Sequence, residues 1–167
     1  MHAKEHFCKY CGNILDSRKK VFCSDSCKLE FRLKNKEHKQ IYKHFCKFTF
    51  ALNQYPSEFD FNLINTYGWY KAKNHGDNPE GISRDHCYSI DKGFENLIDP
   101  YIISHPANCI LIQQRKNATK YTKCDIDIND LINKIKLWNN KYGVYQNKID
   151  YAVLRNLGLN FNVLYDE

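Results

Sequence analysis

No stretch of the sequence approaches the roughly 18 consecutive apolar residues that a bilayer span requires, so a membrane-spanning helix is not expected. The first residues, Met1-His2-Ala3-Lys4-Glu5-His6, lack the apolar core of a signal peptide. The cytoplasm is therefore the expected compartment. There is no internal repeat, and no excess of charge spread evenly along the chain. Residues 1–50 carry 12 Lys+Arg against 5 Asp+Glu, whereas residues 51–167 carry 13 against 14, within a net charge of +6. A basic N-terminal lobe beside a near-neutral remainder suggests a phosphate-binding handle attached to something else. A merely solubilising lysine-rich surface is the plainer alternative. At 167 residues the chain suits one compact domain or a few small modules with a modest core.

Cysteine is abundant, with eight residues. In a reducing compartment these read as metal ligands or buried thiols rather than disulfides. Cys8-Lys9-Tyr10-Cys11 is followed, after eleven residues, by Cys23-Ser24-Asp25-Ser26-Cys27. Two close pairs at this separation can bring four thiolates to the corners of a tetrahedron, the geometry of structural Zn²⁺. Gly12 permits the tight turn of a knuckle, and Ser24 and Asp25 are N-cap types, predicting a helix over 26–32. The pattern resembles a treble-clef or ribbon-like zinc finger; four unrelated thiols or a redox pair is the competing reading. Lys9, Arg18, Lys19, Lys20, Lys28, Arg32 and Lys34 surround it, which makes the finger a candidate DNA-binding handle. A finger that only packs against its neighbour would have the same composition.

Further along, Ile41, Phe45, Phe48 and Leu52 recur at helical spacing and Pro56 marks a stop. Residues 61–73 read as a second helix, with Tyr67, Trp69 and Tyr70 as core residues rather than base-stacking platforms. Asp127 is suited to cap a helix whose buried face is Ile128, Leu131, Ile132, Ile135 and Trp138, ending at Gly143. A shorter helix over 148–157 follows, and Leu159, Phe161, Val163 and Tyr165 alternate as a closing strand would. Residues 82–89 and 108–113 read as strands, with a long connection between them, and a helix begins near Gln114.

Within that last region Arg84-Asp85-His86, Asn108 and Asn117 stand in order, with Asn108 22 positions after His86 and Asn117 nine further on. An Asp-His pair at a strand end, an Asn opening the second strand and an Asn on the following helix resemble the ββα-metal finger of the HNH endonuclease family, in its His-Asn-Asn variant. The resemblance covers residues 82 to about 137 and is to phage- and plasmid-type restriction or homing enzymes. It implies phosphodiester hydrolysis. His86 would be the general base, since imidazole accepts a proton near neutral pH. Asp85 and Asn117 would offer hard oxygens to Mg²⁺ or Mn²⁺, and Asn108 would hold the finger's loop and orient His86. Arg84, Arg115, Lys116 and Lys120, with Lys19, Lys20 and Lys28 of the finger, are the candidate DNA contacts. Adjacent strand residues point to opposite faces, so Asp85 and His86 can share a centre only where the strand ends or kinks.

Cys87, Cys109 and Cys124 form no CxxC pair and read as buried thiols rather than a second zinc site; Cys46 reads likewise. His105, before a proline, reads as structural. The expected organisation is α+β: a four-cysteine zinc finger (1–35), a helical connecting segment (36–80), the nuclease finger (81–124), and C-terminal helices with a closing strand (125–167). The expected partner is double-stranded DNA, with a homodimer where both strands are cut. The competing class is a zinc-dependent DNA-binding module or regulator with an inactive nuclease finger.

Overall fold

The computed structural model describes residues 5–15 and 21–161. The protein is a small α+β chain in which eight α-helices accompany a single two-stranded sheet among the described residues. In chain order the elements are α1 (Asp25–Leu33), α2 (His38–Phe45), α3 (Phe61–Tyr67), β1 (Ile82–His86), α4 (Ile90–Glu95), α5 (Pro100–Ser104), β2 (Cys109–Gln113), α6 (Gln114–Lys120), α7 (Ile128–Tyr142) and α8 (Tyr151–Asn156). No described helix is long and apolar enough to cross a membrane. The chain divides into two compact units, residues 1–44 with 148–160, and residues 45–147 with 161–167.

In the first unit, Phe7 bridges Ile14 across a short turn, and α1 starts where Ser24 accepts a hydrogen bond from the Cys27 amide at 3.1 Å. Helix α8 is capped by Asp150, which accepts from the Val153 amide at 3.0 Å. The two helices are joined by polar bonds at their ends. Ser26 donates to Asp150 at 2.6 Å, and Asn156 donates to the buried Glu30 at 3.0 Å. Ile41, Tyr42, Val153 and Leu154 are fully buried.

The second unit is built on the antiparallel pair β1–β2, in the register Ile82↔Gln113 to His86↔Cys109, with α6 following β2 directly. Helix α7 begins at Asp127, which accepts from the Asn129 amide at 2.8 Å. It buries Leu131, Ile135 and Trp138, spaced as one helical face. Trp138 joins Tyr55, Phe59, Tyr142 and His105 in an aromatic cluster with centroids 4.9–6.3 Å apart.

Several elements differ from the sequence reading. The helix expected over 41–52 stops at Phe45. Beyond it, Phe48 stacks on His86 with centroids 4.0 Å apart, and Phe50 packs on Phe59 at 5.8 Å; tertiary burial of these rings outweighs local helical spacing. The helix over 61–73 ends at Tyr67, because Gly68 adopts φ 66°, ψ 178° and turns the chain into an extended segment. Trp69 then bridges Ile82, and Lys71 bridges Asn78. Tyr67, Trp69 and Tyr70 are 44%, 41% and 40% exposed, so the core assignment of these residues is corrected. The strand expected over 82–89 ends at His86, and the long connection after it holds α4 and α5 rather than open loop. The last helix is confined to Tyr151–Asn156. Leu159 is not in a strand, and most of the expected closing strand, Val163 and Tyr165 included, lies outside the described residues.

Candidate functional site

Two groups of side chains carry chemistry. The first lies in the first unit. The amide of Gly12 donates to the Cys8 carbonyl at 3.0 Å and that of Cys8 to the Asn13 carbonyl at 2.8 Å. These bonds close a knuckle with Gly12 at φ 76°. Cys23 immediately precedes the Ser24 cap, and Cys27 lies on the first turn of α1. The four sulfurs of Cys8, Cys11, Cys23 and Cys27 all lie within 4.8 Å of one another. Cys11 and Cys23 are 3.5 Å apart, and Cys23 and Cys27 3.4 Å. Four thiolates bound to Zn²⁺ at about 2.3 Å would sit about 3.8 Å apart, so the spacing fits one tetrahedral ion.

The electrostatics agree with that fit. Burial raises the Cys8 thiol, but the backbone N–H groups of Cys11, Cys23 and Tyr10 outweigh it and bring Cys8 down to about 6. Hydrogen bonds to Cys27 and Cys11 push Cys23 up to about 12. Thiols this close cannot all ionise without a cation between them. Among the described residues no other group of three or more His, Cys, Asp or Glu side chains converges in this way.

The second group is at the end of the β1–β2 hairpin. Alternation along β1 separates its side chains. Ser83 and Asp85 meet α6: Asn117 donates to Ser83 Oγ at 3.2 Å, and Lys120 Nζ to Asp85 Oδ2 at 2.7 Å. Arg84 and His86 meet the segment over 46–50. Arg84 donates to the Phe50 carbonyl at 2.9 Å and lies 5.0 Å over that ring. His86 Nε2 is 2.9 Å from the Cys46 carbonyl. A carbonyl only accepts, so Nε2 carries the proton and Nδ1 is left with a free lone pair. Nδ1 has no hydrogen-bond partner among the described residues. Burial pushes the His86 imidazole down to about 4, against the Cys46 carbonyl and Asp85, which favour its charged form. The ring is therefore neutral at pH 7 and keeps some exposure to solvent.

Asn108 is fully buried. Its Oδ1 accepts from the Tyr88 amide at 2.7 Å, and its Nδ2 donates to the carbonyls of Tyr88 and Ile103 at 3.1 and 2.9 Å. Its own carbonyl accepts from the Cys87 amide at 2.8 Å. One side chain thus ties the backbone just beyond His86 to α5. Replacing Asn108 by alanine should destabilise the protein by about 3–5 kcal/mol, because three buried backbone groups lose their partners together. Urea unfolding measures this, and a loss under about 1 kcal/mol would show that the network is not cooperative.

Lys120 was expected on a DNA-facing surface; its side chain is only 11% exposed. Its ammonium contacts Asp85 Oδ2, Asp125 Oδ2 at 2.5 Å and the His86 carbonyl at 2.7 Å. Burial opposes its charge, but Asp125 and Asp85 outweigh burial and hold it above the ordinary lysine value. Arg84 is likewise engaged by Phe50. Arg115 is 79% exposed, 3.6 Å from Glu80, and Lys116 and Lys28 are exposed. Lys19 and Lys20 lie outside the described residues.

Cys87 and Cys109 are buried, their thiols raised by desolvation, Cys109 to about 12. Cys124 accepts from the Ser89 amide at 3.3 Å. His105 is fully buried; its Nδ1 accepts from the Ala107 amide at 3.1 Å, so Nε2–H donates to Asn139 at 3.2 Å. It is a core residue. The sequence reading missed the Cys46 carbonyl, Phe48 and Asp125, and none of them leaves a local signal. No protein-family model, curated protein or solved structure matches the chain.

Proposed function

We propose that the chain is a metal-dependent DNA endonuclease of the HNH type, carrying a structural four-cysteine zinc finger. The observation that carries this reading is the state of His86. It is a neutral imidazole at the end of β1, its Nε2–H committed to a carbonyl and its Nδ1 open. A neutral imidazole with a free ring nitrogen can accept a proton, and burial makes this one a weaker base than an ordinary histidine. The strand, strand, helix order around it, with Asn108 inside the hairpin connection and Asn117 on α6, supports the same reading.

In this reaction His86 Nδ1 takes a proton from water as the oxygen attacks phosphorus in line, and the 3′ oxygen leaves, giving a 5′-phosphate end. Asn108 holds the backbone behind His86 and so fixes the imidazole's direction. Exposed Lys116 is available to neutralise phosphate charge, whereas Arg115 lies 3.6 Å from Glu80. Asp85 and Asn117, both on the α6 side of β1, are the residues that would hold a hard divalent ion, while His86 faces the other side of the strand. One oxygen of Asp85 and the Oδ1 of Asn117 have no hydrogen-bond partner among the described residues, and such oxygens suit Mg²⁺ or Mn²⁺. When bound, that ion would supply Lewis-acid stabilisation of the leaving oxygen. The substrate on this reading is double-stranded DNA. One hydrolytic centre per chain makes a double-strand break the work of two chains.

Two observations favour a second reading, a zinc-dependent DNA-binding module with an inactive finger. Asp85 and Asn117 meet on the α6 side, away from His86, so the ion they would hold and the base do not share one face of β1. The Lys120 ammonium also already neutralises Asp85, the carboxylate that would attract a cation. A plasmid-nicking assay separates the two. Nicking in Mg²⁺ or Mn²⁺, abolished by EDTA and restored by excess Mg²⁺, supports the nuclease. DNA binding without nicking in either ion supports the module, and a Lys120→Met protein that begins to nick would identify that ammonium as the block.

A further inference from the structure

The segment between α3 and β1 has a feature that the proposed reaction does not use. Tyr67, Trp69 and Tyr70 expose 44%, 41% and 40% of their surface within four residues. Single exposed aromatics are ordinary, whereas three within four residues of one firmly held segment stand out. Exposure here is not the result of a loosely held chain. The Tyr70 amide donates to the Ile82 carbonyl at 2.9 Å, and the Ile82 amide to the Gly68 carbonyl at 2.8 Å. Asn78 Nδ2 donates to the carbonyls of Tyr67 and Trp69 at 2.8 and 3.0 Å. Lys71 and Asn78 exchange both backbone bonds. Gly81 lets the strand approach so closely that a Cβ there would lie 2.4 Å from the Tyr70 nitrogen. The aromatic rings are thus displayed on a rigid extended arm hydrogen-bonded to the start of β1.

The arm's chemistry selects its partner. Beyond the rings the chain makes a tight turn bearing exposed Lys71, Lys73 and His75. Of the acids beside it, Glu80 is met by Arg115, leaving Asp77 against the two lysines. Aromatic faces next to cations match unstacked bases joined by phosphates. Position agrees as well. Trp69 pairs with Ile82, three residues before Asp85, which at about 3.3 Å per residue is about 10 Å along the strand. That is roughly three nucleotides of one DNA strand at about 3.4 Å each. Resting on the nuclease reading for its orientation, we infer that residues 67–75 form a DNA-contacting arm, in which Trp69 on one side and Tyr70 on the other stack on separate bases opened beside the scissile phosphate and Lys71 and Lys73 contact the flanking backbone.

Tryptophan emission reads this directly, because the only other tryptophan, Trp138, is 6% exposed. Zinc-loaded full-length protein, in buffer without added Mg²⁺, is titrated with a single-stranded oligonucleotide and with a duplex carrying a short mismatched bubble. Emission should be quenched in Trp138→Phe protein and not in Trp69→Phe. Each of Trp69→Ala and Tyr70→Ala should weaken binding about 5- to 150-fold. Lys71→Ala/Lys73→Ala should lower the slope of log affinity against log salt by about 1.4–1.8. Circular dichroism and melting of each variant exclude misfolding as the cause. Unchanged Trp69 emission at saturating DNA, with affinities within about twofold of wild type, overturns the arm, and so does absence of DNA binding. The outcomes separate the two proposals. Quenching in a protein that never nicks keeps the arm and removes the nuclease; nicking with unaltered binding by the alanine variants does the reverse.

Discussion

His86→Ala is expected, on the proposed nuclease reading, to lower the rate of DNA nicking by about 10²–10⁴-fold, the usual contribution of a positioned general base. The same side chain stacks on Phe48 and bonds the Cys46 carbonyl, so its removal should also cost about 1–3 kcal/mol of stability. Rate and melting temperature must therefore be measured together, below the temperature at which the variant begins to unfold. Undiminished nicking by a folded variant would remove His86 from the mechanism. The pH profile gives a second test. Burial holds the His86 imidazole down to about 4, so the base stays unprotonated well below the ordinary histidine value of about 6.5. The acid limb of the rate should accordingly fall between about pH 5 and 4, not near 6.5.

Stability should follow the same groups. His86 and His105 are both held down to about 4 in the fold by burial. Between about pH 6.5 and pH 4 the unfolded chain binds more protons than the folded one. Their contribution is complete above about 6.5 and is lost as pH falls through that window. Urea midpoints measured across it should decline, and less steeply in His105→Gln.

Removing zinc should have the largest structural effect. About one zinc per chain is expected on the four-ligand logic, bound by Cys8, Cys11, Cys23 and Cys27. Apparent binding free energies of structural zinc, about 10–16 kcal/mol, are as large as the total stability of a typical domain, about 5–15 kcal/mol. A chelator strong enough to strip the ion should therefore melt the knuckle and the start of α1. Amide exchange would register this as loss of protection at Cys8, Gly12 and Leu15, whose backbone bonds close the knuckle, while the β1–β2 amides of the other unit stay protected. Cys23→Ser/Cys27→Ser should give a zinc-free protein with the same pattern. Retention of zinc by that variant would move the site to other thiols. Cys87 and Cys109 are poor substitutes, since burial raises both toward the protonated form.

Features set by neighbours in sequence were legible without the fold. The cysteine knuckle and the Ser24-capped helix lie close together in the chain, and the spacing of their ligands is a local matter. The Asp127 cap, the stripe of Leu131, Ile135 and Trp138, and the order of two strands and a helix around Asp85, His86, Asn108 and Asn117 also arise from short-range periodicity and capping. Tertiary structure decided what local pattern leaves open. It ended α2 at Phe45, because Phe48 and Phe50 gain more by burying against His86 and Phe59 than by continuing a helix. It left Trp69 and Tyr70 exposed, because their backbone is taken up by Ile82 and Asn78. It turned Lys120 inward onto Asp85, 35 positions away. It chose the Cys46 carbonyl, 40 positions from His86, as the group that fixes the imidazole's proton. Each of these depends on which distant groups meet in a water-poor interior, where an unpaired charge or polar group costs most, and no local window of sequence contains both partners.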